Sequence, residues 1–260
     1  MKKYFFFVLY VLLLFPSIAQ NTGNLEYGLF SNYGGDISWE FGNNILTIQE
    51  YKDNGITEKK YDYLYEDKGP YYVLKIKKED EVKEYVTLLA PHYEFFLIYP
   101  KNISEPLENG FFGKHSLLFS RNTKYKTRNY LTEGKIKYVP ENLSDISIGK
   151  PWVEACDDSG IGERIYINHS NYIKSLIISN GFVSFKVSTY YNNNRVKLLR
   201  VYNSANKNEF FTVELPDSAV PFEIKLPFNT QIVELEILDV YKGEKYDDTC
   251  INFILCKCDY

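Results

Sequence analysis

Between Asn24 and Pro100 the apolar residues fall into short alternating or continuous runs, each closed by a turn signal. The runs are Ile37–Phe41, Ile45–Ile48, Tyr61–Tyr65, Tyr71–Ile76, Glu84–Leu89 and Tyr93–Tyr99. Between them lie Gly42-Asn-Asn44, Asp53-Asn-Gly55, Asp67-Lys-Gly-Pro70 and Lys78-Glu-Asp-Glu81. Short strands at close spacing with Asn-Gly and Gly-Pro turns predict an antiparallel meander. Closure into a small barrel or a strongly curved sheet would remove its exposed edges. Lys101 to Arg121, broken by Pro106, Asn109-Gly110 and Gly113, reads as a last strand plus a linker. The remainder is again strand-like, with Gly160-Ile-Gly162 as a tight turn into Arg164–Ile167. The pattern therefore predicts an all-β chain in two domains, residues 24–120 and 124–260.

The first residues have a different pattern. Lys2 and Lys3 precede an unbroken apolar run from Tyr4 to Phe15, and Ser17-Ile18-Ala19 supplies small residues for cleavage. This is the form of an export signal at residues 1–19, with the mature chain starting at Gln20. The run would span about 18 Å as a helix, short of the roughly 30 Å hydrocarbon core. No span is expected in the mature chain, which would be periplasmic, extracellular or attached to the cell surface.

Composition narrows the function classes. Of 260 residues 45% are hydrophobic and 17% aromatic, enough for a real core and biased toward strands. Thirty Lys+Arg against 34 Asp+Glu give a net charge of -4, which provides no field for phosphate backbones. Nucleic acid is not an expected partner. Usage rich in Lys, Asn and Tyr suggests a bacterial source of low GC content.

Export makes the four cysteines, Cys156, Cys250, Cys256 and Cys258, candidates for disulfides. The favoured pairing joins Cys156 to Cys256 or Cys258, clipping the start of the second domain to its end; buried thiols are the alternative. Zinc is disfavoured, because Cys256-x-Cys258 is not a CxxC knuckle and no second close Cys pair or His-x-His accompanies it. No cofactor or metal is expected.

The second half carries linked motifs: Tyr138–Leu143, Pro151-Trp-Val-Glu154 through Gly160-Ile-Gly-Glu163, Asn180-Gly-Phe182, Tyr191-Asn-Asn-Asn-Arg195 and Asp239-Val-Tyr241 through Tyr246-Asp-Asp-Thr-Cys250. In this order they resemble the NADase-type glycan-binding domain, a discoidin-like β-sandwich related to the translocation domain of streptococcal NAD-glycohydrolase. The resemblance covers about Lys124 to Tyr260, and nothing before Lys124 looks like the NAD-cleaving domain. It implies a jelly roll that recognises a glycan or glycoconjugate through loops at one end.

Sugar rings offer apolar C–H faces and hydroxyl edges, so a site for them needs an aromatic platform and fixed planar hydrogen-bonding groups. Trp152 and Tyr246 are the candidate platforms. Glu154, Asn194, Arg195, Asp247 and Asp248 are the candidate edge readers, Arg195 for its rigid fork of donors. Each has a structural reading beside it. Trp152 also suits a core anchor, Glu154 and Arg195 an ion pair between loops, Asp248-Thr249 a turn cap, and Asn192–Asn194 a turn at positive φ.

Catalysis is not expected. His92, His115 and His169 stand in unrelated contexts, and neither a G-x-S-x-G elbow nor a paired Cys and His is evident. Asp157/Asp158 with Asp247/Asp248 supply two carboxylates of the kind a glycosidase uses, but a chain with this many acids offers such pairs by chance. The expectation is a secreted, non-catalytic lectin-like protein. The alternatives are a carrier holding a small apolar ligand in the N-terminal barrel, and a protein-binding adhesin. Oligomeric state has no sequence signature here.

Overall fold

The computed structural model describes residues 28–32, 35–91, 94–107, 111–112, 123–156 and 158–258. The export segment lies outside the described residues. So do His92, His115 and Asp157. Among the described residues no helix is long and apolar enough to cross a membrane.

All six strands predicted between Ile37 and Pro100 form. They are β2 (Ile37–Gly42), β3 (Ile45–Lys52), β4 (Gly55–Asp67), β5 (Tyr72–Lys78), β6 (Glu81–Leu89) and β7 (Phe95–Pro100), each antiparallel to the next. The last strand expected within Lys101–Arg121 is the short β8 (Phe111–Phe112), and it pairs through Phe112 with Ser31 of β1 (Leu29–Ser31), a strand the sequence pattern does not reveal, closing the barrel. Asn43 and Asn44 hold the β2–β3 turn at φ of 49° and 62°. Alternation along the strands sends Trp39, Phe41, Leu46, Leu74, Ile76, Phe96 and Ile98 to one face, where they form a single cluster. Its rings touch: Phe30 and Phe41 lie 5.0 and 5.8 Å from Phe96, centre to centre. The barrel interior is thus lined by its own aromatic side chains.

The second half is a β-sandwich of β9 (Lys124–Thr127), β12 (Trp152–Val153), β13 (Arg164–Asn180), β14 (Asn194–Asn203), β15 (Asn206–Glu214), β16 (Phe222–Tyr241) and β17 (Thr249–Cys258). A small hairpin, β10 (Thr132–Glu133) with β11 (Ile136–Lys137), a 3-10 turn at Pro140–Ser144 and the α-helix α1 (Val187–Asn192) lie outside this sheet. The strand order is β12-β17-β13-β16-β14-β15, with β9 added to β13. Strands β13 and β16 are long enough to serve both layers. The first part of β13 pairs with β9 and the last part with β17, and the register breaks between Asn168 and Ile173 make the corner. The layers enclose Trp152, Ile165, Ile167, Leu176, Ile178, Leu199, Val201, Leu235 and Ile254.

Barrel and sandwich share a third apolar cluster. It joins Tyr71, Val86, Leu88, Phe95, Leu97 and Tyr99 of the barrel to Ile148, Ile177, Val183, Tyr190, Phe253 and Leu255 of the sandwich. This explains why β6, β7 and β17 read as continuous apolar runs: one face fills its own layer and the other packs across the junction. Polar contacts lock the register. Tyr71 donates its hydroxyl to Ser184 O at 2.8 Å and Tyr99 to Ile146 O at 2.5 Å, while Lys257 pairs with Glu94.

The cysteines do not pair. Cys156 lies two residues beyond Glu154, whose backbone N–H bonds Thr249 O at the start of β17. Cys256 is seven residues further along that strand, about 23 Å at 3.3 Å per residue. That is far beyond the roughly 7 Å Cα limit for a disulfide. The expected Cys156–Cys256 or Cys156–Cys258 clip is therefore corrected. Cys256 and Cys258 pack into the sandwich core, with Cys258 Sγ 3.2 Å from His169 Nδ1, and Cys250 is fully buried.

Candidate functional site

The motif residues, scattered along the sequence, meet at one end of the sandwich. Trp152 and Val153 of β12 sit opposite Ile251 and Cys250 of β17, antiparallel. On the other side of β17, Asn194 and Arg195 begin β14 in parallel register with Thr249 and Cys250. Three neighbouring strand ends therefore bring all seven candidate residues together. Their exposures divide them into two groups.

Trp152, Glu154, Asn194 and Arg195 are buried. Trp152 is fully enclosed in the sandwich core and presents no ring face to a ligand, so its role as a platform is corrected to that of a core anchor. Arg195 is not paired with Glu154. Its Nε and Nη2 donate to the two oxygens of Asp217 at 3.0 and 2.7 Å, and its Nη1 donates to Asn193 O and Lys242 O, both at 3.0 Å. The guanidinium lies 5.2, 5.9 and 6.0 Å from the ring centres of Tyr190, Tyr191 and Tyr241. Burial opposes its charge, but the hydrogen bonds and charge of Asp217 outweigh that and raise its pKa. Arg195 is thus a clamp with its donors already committed.

Glu154 works on a neighbouring loop. Its carboxylate accepts from the backbone N–H of Cys156 at 2.6 Å and of Thr249 at 3.2 Å. Burial raises its pKa, and those two N–H groups only partly offset the rise. Gly160, at φ +70°, passes so close that a Cβ there would lie 2.8 Å from the Glu154 side chain. Thr249 Oγ donates to Ser159 O at 2.7 Å, fastening the same loop to β17.

Asn194 holds the segment between β16 and β17. Its side chain donates to Asp247 O at 2.5 Å and accepts from the N–H of Gly243 at 2.7 Å. The expected positive φ at Asn192–Asn194 is not found; instead Asn192 ends α1, and its carbonyl accepts from the N–H groups of Lys245 and Tyr246. The last carbonyls of the helix are satisfied by the loop they hold.

The loop so held displays Tyr246, Asp247 and Asp248. Tyr246 is 44% exposed, with Lys245 Nζ 4.8 Å from its ring centre. Asp247 is exposed and lies 3.5 Å from Lys242 Nζ. Asp248 is half-buried; burial first, then the charges of Glu133 and Asp247, raise its pKa. The surface therefore combines an amphipathic ring, two carboxylates and two amines on a backbone fixed from below. Sequence reasoning missed Asp217, Tyr190 and Tyr241. Asp217 lies in an ordinary Pro-Asp-Ser turn, and only the fold places it against Arg195.

Residues 120–257, more than half of the chain, match the model of the NAD glycohydrolase translocation F5/8 type C domain. The chain belongs to this family. No curated protein matches the sequence. Solved structures similar to the chain include a Clostridium perfringens module in complex with GalNAc-β-1,3-galactose (13% identity, TM-score 0.42, 55% of this chain and 100% of that one). They also include the family 32 module of C. perfringens NanJ in complex with galactose (12%, TM-score 0.39, 52% and 93%). A third is the family 32 carbohydrate-binding module of Streptococcus pneumoniae EndoD (12%, TM-score 0.38, 53% and 96%).

Proposed function

We propose that the chain is an exported, non-catalytic glycan-binding protein that recognises its ligand at the loop end of the sandwich. The division into a barrel unit, residues 24–120, and a glycan-binding unit, residues 124–260, is part of this reading. The observation that carries it is the surface of exposed Tyr246 and Asp247 and half-buried Asp248 on a loop held by buried Asn194 and Arg195. A preorganised loop loses little entropy on binding, and its ring and carboxylates match the faces and hydroxyl edges of a sugar. The family supports the same reading. Its description names the translocation domain rather than the NAD-cleaving one.

The test is a glycan array, including galactose- and N-acetylgalactosamine-terminated saccharides, probed with the chain from Gln20 and with Tyr246→Ala and Asp247→Ala. Saturable binding to a subset of glycans, weakened at least about tenfold by either change, is expected. Silence of the folded protein across the array, or binding indifferent to both changes, would contradict the proposal.

A further inference from the structure

The β14–β15 hairpin turns at the end of the sandwich remote from Tyr246. Nine residues of extended strand separate Asn194 from Asn203, about 30 Å at 3.3 Å per residue. There a cavity of about 580 Å³ opens between the hairpin and the Pro227–Asn229 stretch of β16. Its volume lies within the roughly 300–1,000 Å³ of small-ligand pockets. Phe210 and Phe228 provide rings, and Asn203, Asn208, Asn229 and Glu209 provide polar edges.

These groups are oriented by the protein itself. The Glu209 carboxylate accepts from Asn203 Nδ2 at 2.7 Å and from Asn206 Nδ2 at 3.0 Å, one amide on each oxygen. The Asn203 and Asn206 carbonyls in turn accept from the N–H groups of Ala205 and Asn208, fixing the hairpin turn. Phe210, 53% exposed, is held by Tyr202 and by the Arg200 guanidinium, each 5.6 Å from its ring centre. Phe228 packs on Phe211 at 6.0 Å.

The exposed Phe210 ring, the partly buried Phe228 beside it, and the amides and carboxylate around them suit C–H faces and hydroxyl groups, which is saccharide chemistry. The charge of the wall selects further. No lining residue is cationic, and the nearby cations are paired with acids, Lys207 with Glu234 and Arg200, behind the Phe210 ring, with Glu236. A wall whose charge is that of Glu209 repels sialic and uronic acids. We propose that this cavity is a second saccharide site, for an uncharged oligosaccharide. It stands on its own residues and does not depend on the loop-end reading.

The test is NMR titration of the chain from Gln20 with lactose, maltotriose and cellotriose, with sialyllactose as the charged comparison. At least one neutral sugar is expected to shift the amides of Asn208–Phe210 saturably, with sialyllactose weaker. Phe210→Ala should weaken binding about tenfold. Asn208→Ala, a surface change that leaves the core intact, should weaken it as well, and Tyr246→Ala should leave it unchanged. The proposal is overturned if no neutral sugar shifts these amides, or if binding survives both Phe210→Ala and Asn208→Ala. Equal binding of sialyllactose overturns the selectivity for uncharged sugars. Loss of binding in Tyr246→Ala alone would place the sugar at the loop end and overturn the second site.

Discussion

Arg195 and Tyr246 lie in the same few strand ends and are expected to respond to truncation in opposite ways. Arg195→Ala removes a buried guanidinium that ties Asp217 to the Asn193 and Lys242 carbonyls; Asp217 is itself partly exposed and keeps the Tyr190 hydroxyl, so the cost should be roughly 1–3 kcal/mol. Tyr246→Ala removes an exposed ring and should change stability by no more than about 0.5 kcal/mol while removing glycan affinity. Urea unfolding of the two variants separates the structural role from the contact role. Glu154 adds a pH dependence. Its folded pKa is raised, so its stabilising contribution is complete below the ordinary value of 4.5 and is lost as pH rises through the folded value. Unfolding free energies measured upward from pH 4.5 should show this decline in the wild type. Glu154→Gln, neutral at every pH, should flatten it. Sequence alone marked Arg195 and Glu154 as special but could not tell clamp from contact. Their partners, Asp217 for one and two backbone N–H groups for the other, are set by the fold and not by spacing.

Turn chemistry made most of the barrel legible at the scale of elements, because the β2–β3, β3–β4 and β4–β5 turns carry Gly or Asn signals beside short apolar runs, while β5–β6 turns on the charged Lys78–Glu81 with Glu79 at φ 51°. Strand β1 escaped because it is only three residues long, and the strand expected within Lys101–Arg121 could not be placed because β8 is two, both below the length at which alternation can be read. Continuous runs such as Phe95–Tyr99 and Ile251–Leu255 indicated strands but not what covers their second face. The loop between β12 and β13 is the element with the sharpest requirement. Gly160→Ala would place a Cβ against Glu154 at φ +70°, and should cost about 2 kcal/mol from backbone strain alone. Thermal melts check this. A melting temperature equal to the wild type's would show that the loop does not wrap Glu154 as described.

The shared core makes a statement about the molecule as a whole. The junction buries Phe253, Leu255, Tyr99 and Tyr190, so barrel and sandwich should unfold together rather than as beads on a linker. The two tryptophans allow a clean check, since Trp39 lies in the barrel and Trp152 in the sandwich. Trp39→Phe and Trp152→Phe each leave one reporter, and coincident denaturant transitions, after allowance for each substitution's own cost, are expected. Two separated transitions would mean that the junction is weak. A rigid junction also fixes where the Tyr246–Asp248 loop faces, because the barrel turn at Gly69 and Pro70 abuts Tyr191 and Ser218 beside the Arg195 clamp. The measurement that bears most directly on the central claim is amide mapping by NMR of the chain from Gln20 with the strongest glycan from the array. Shifts centred on Tyr246, Asp247 and Asp248, absent in Tyr246→Ala, are the expected result. Saturable binding that leaves these three residues unperturbed would contradict it.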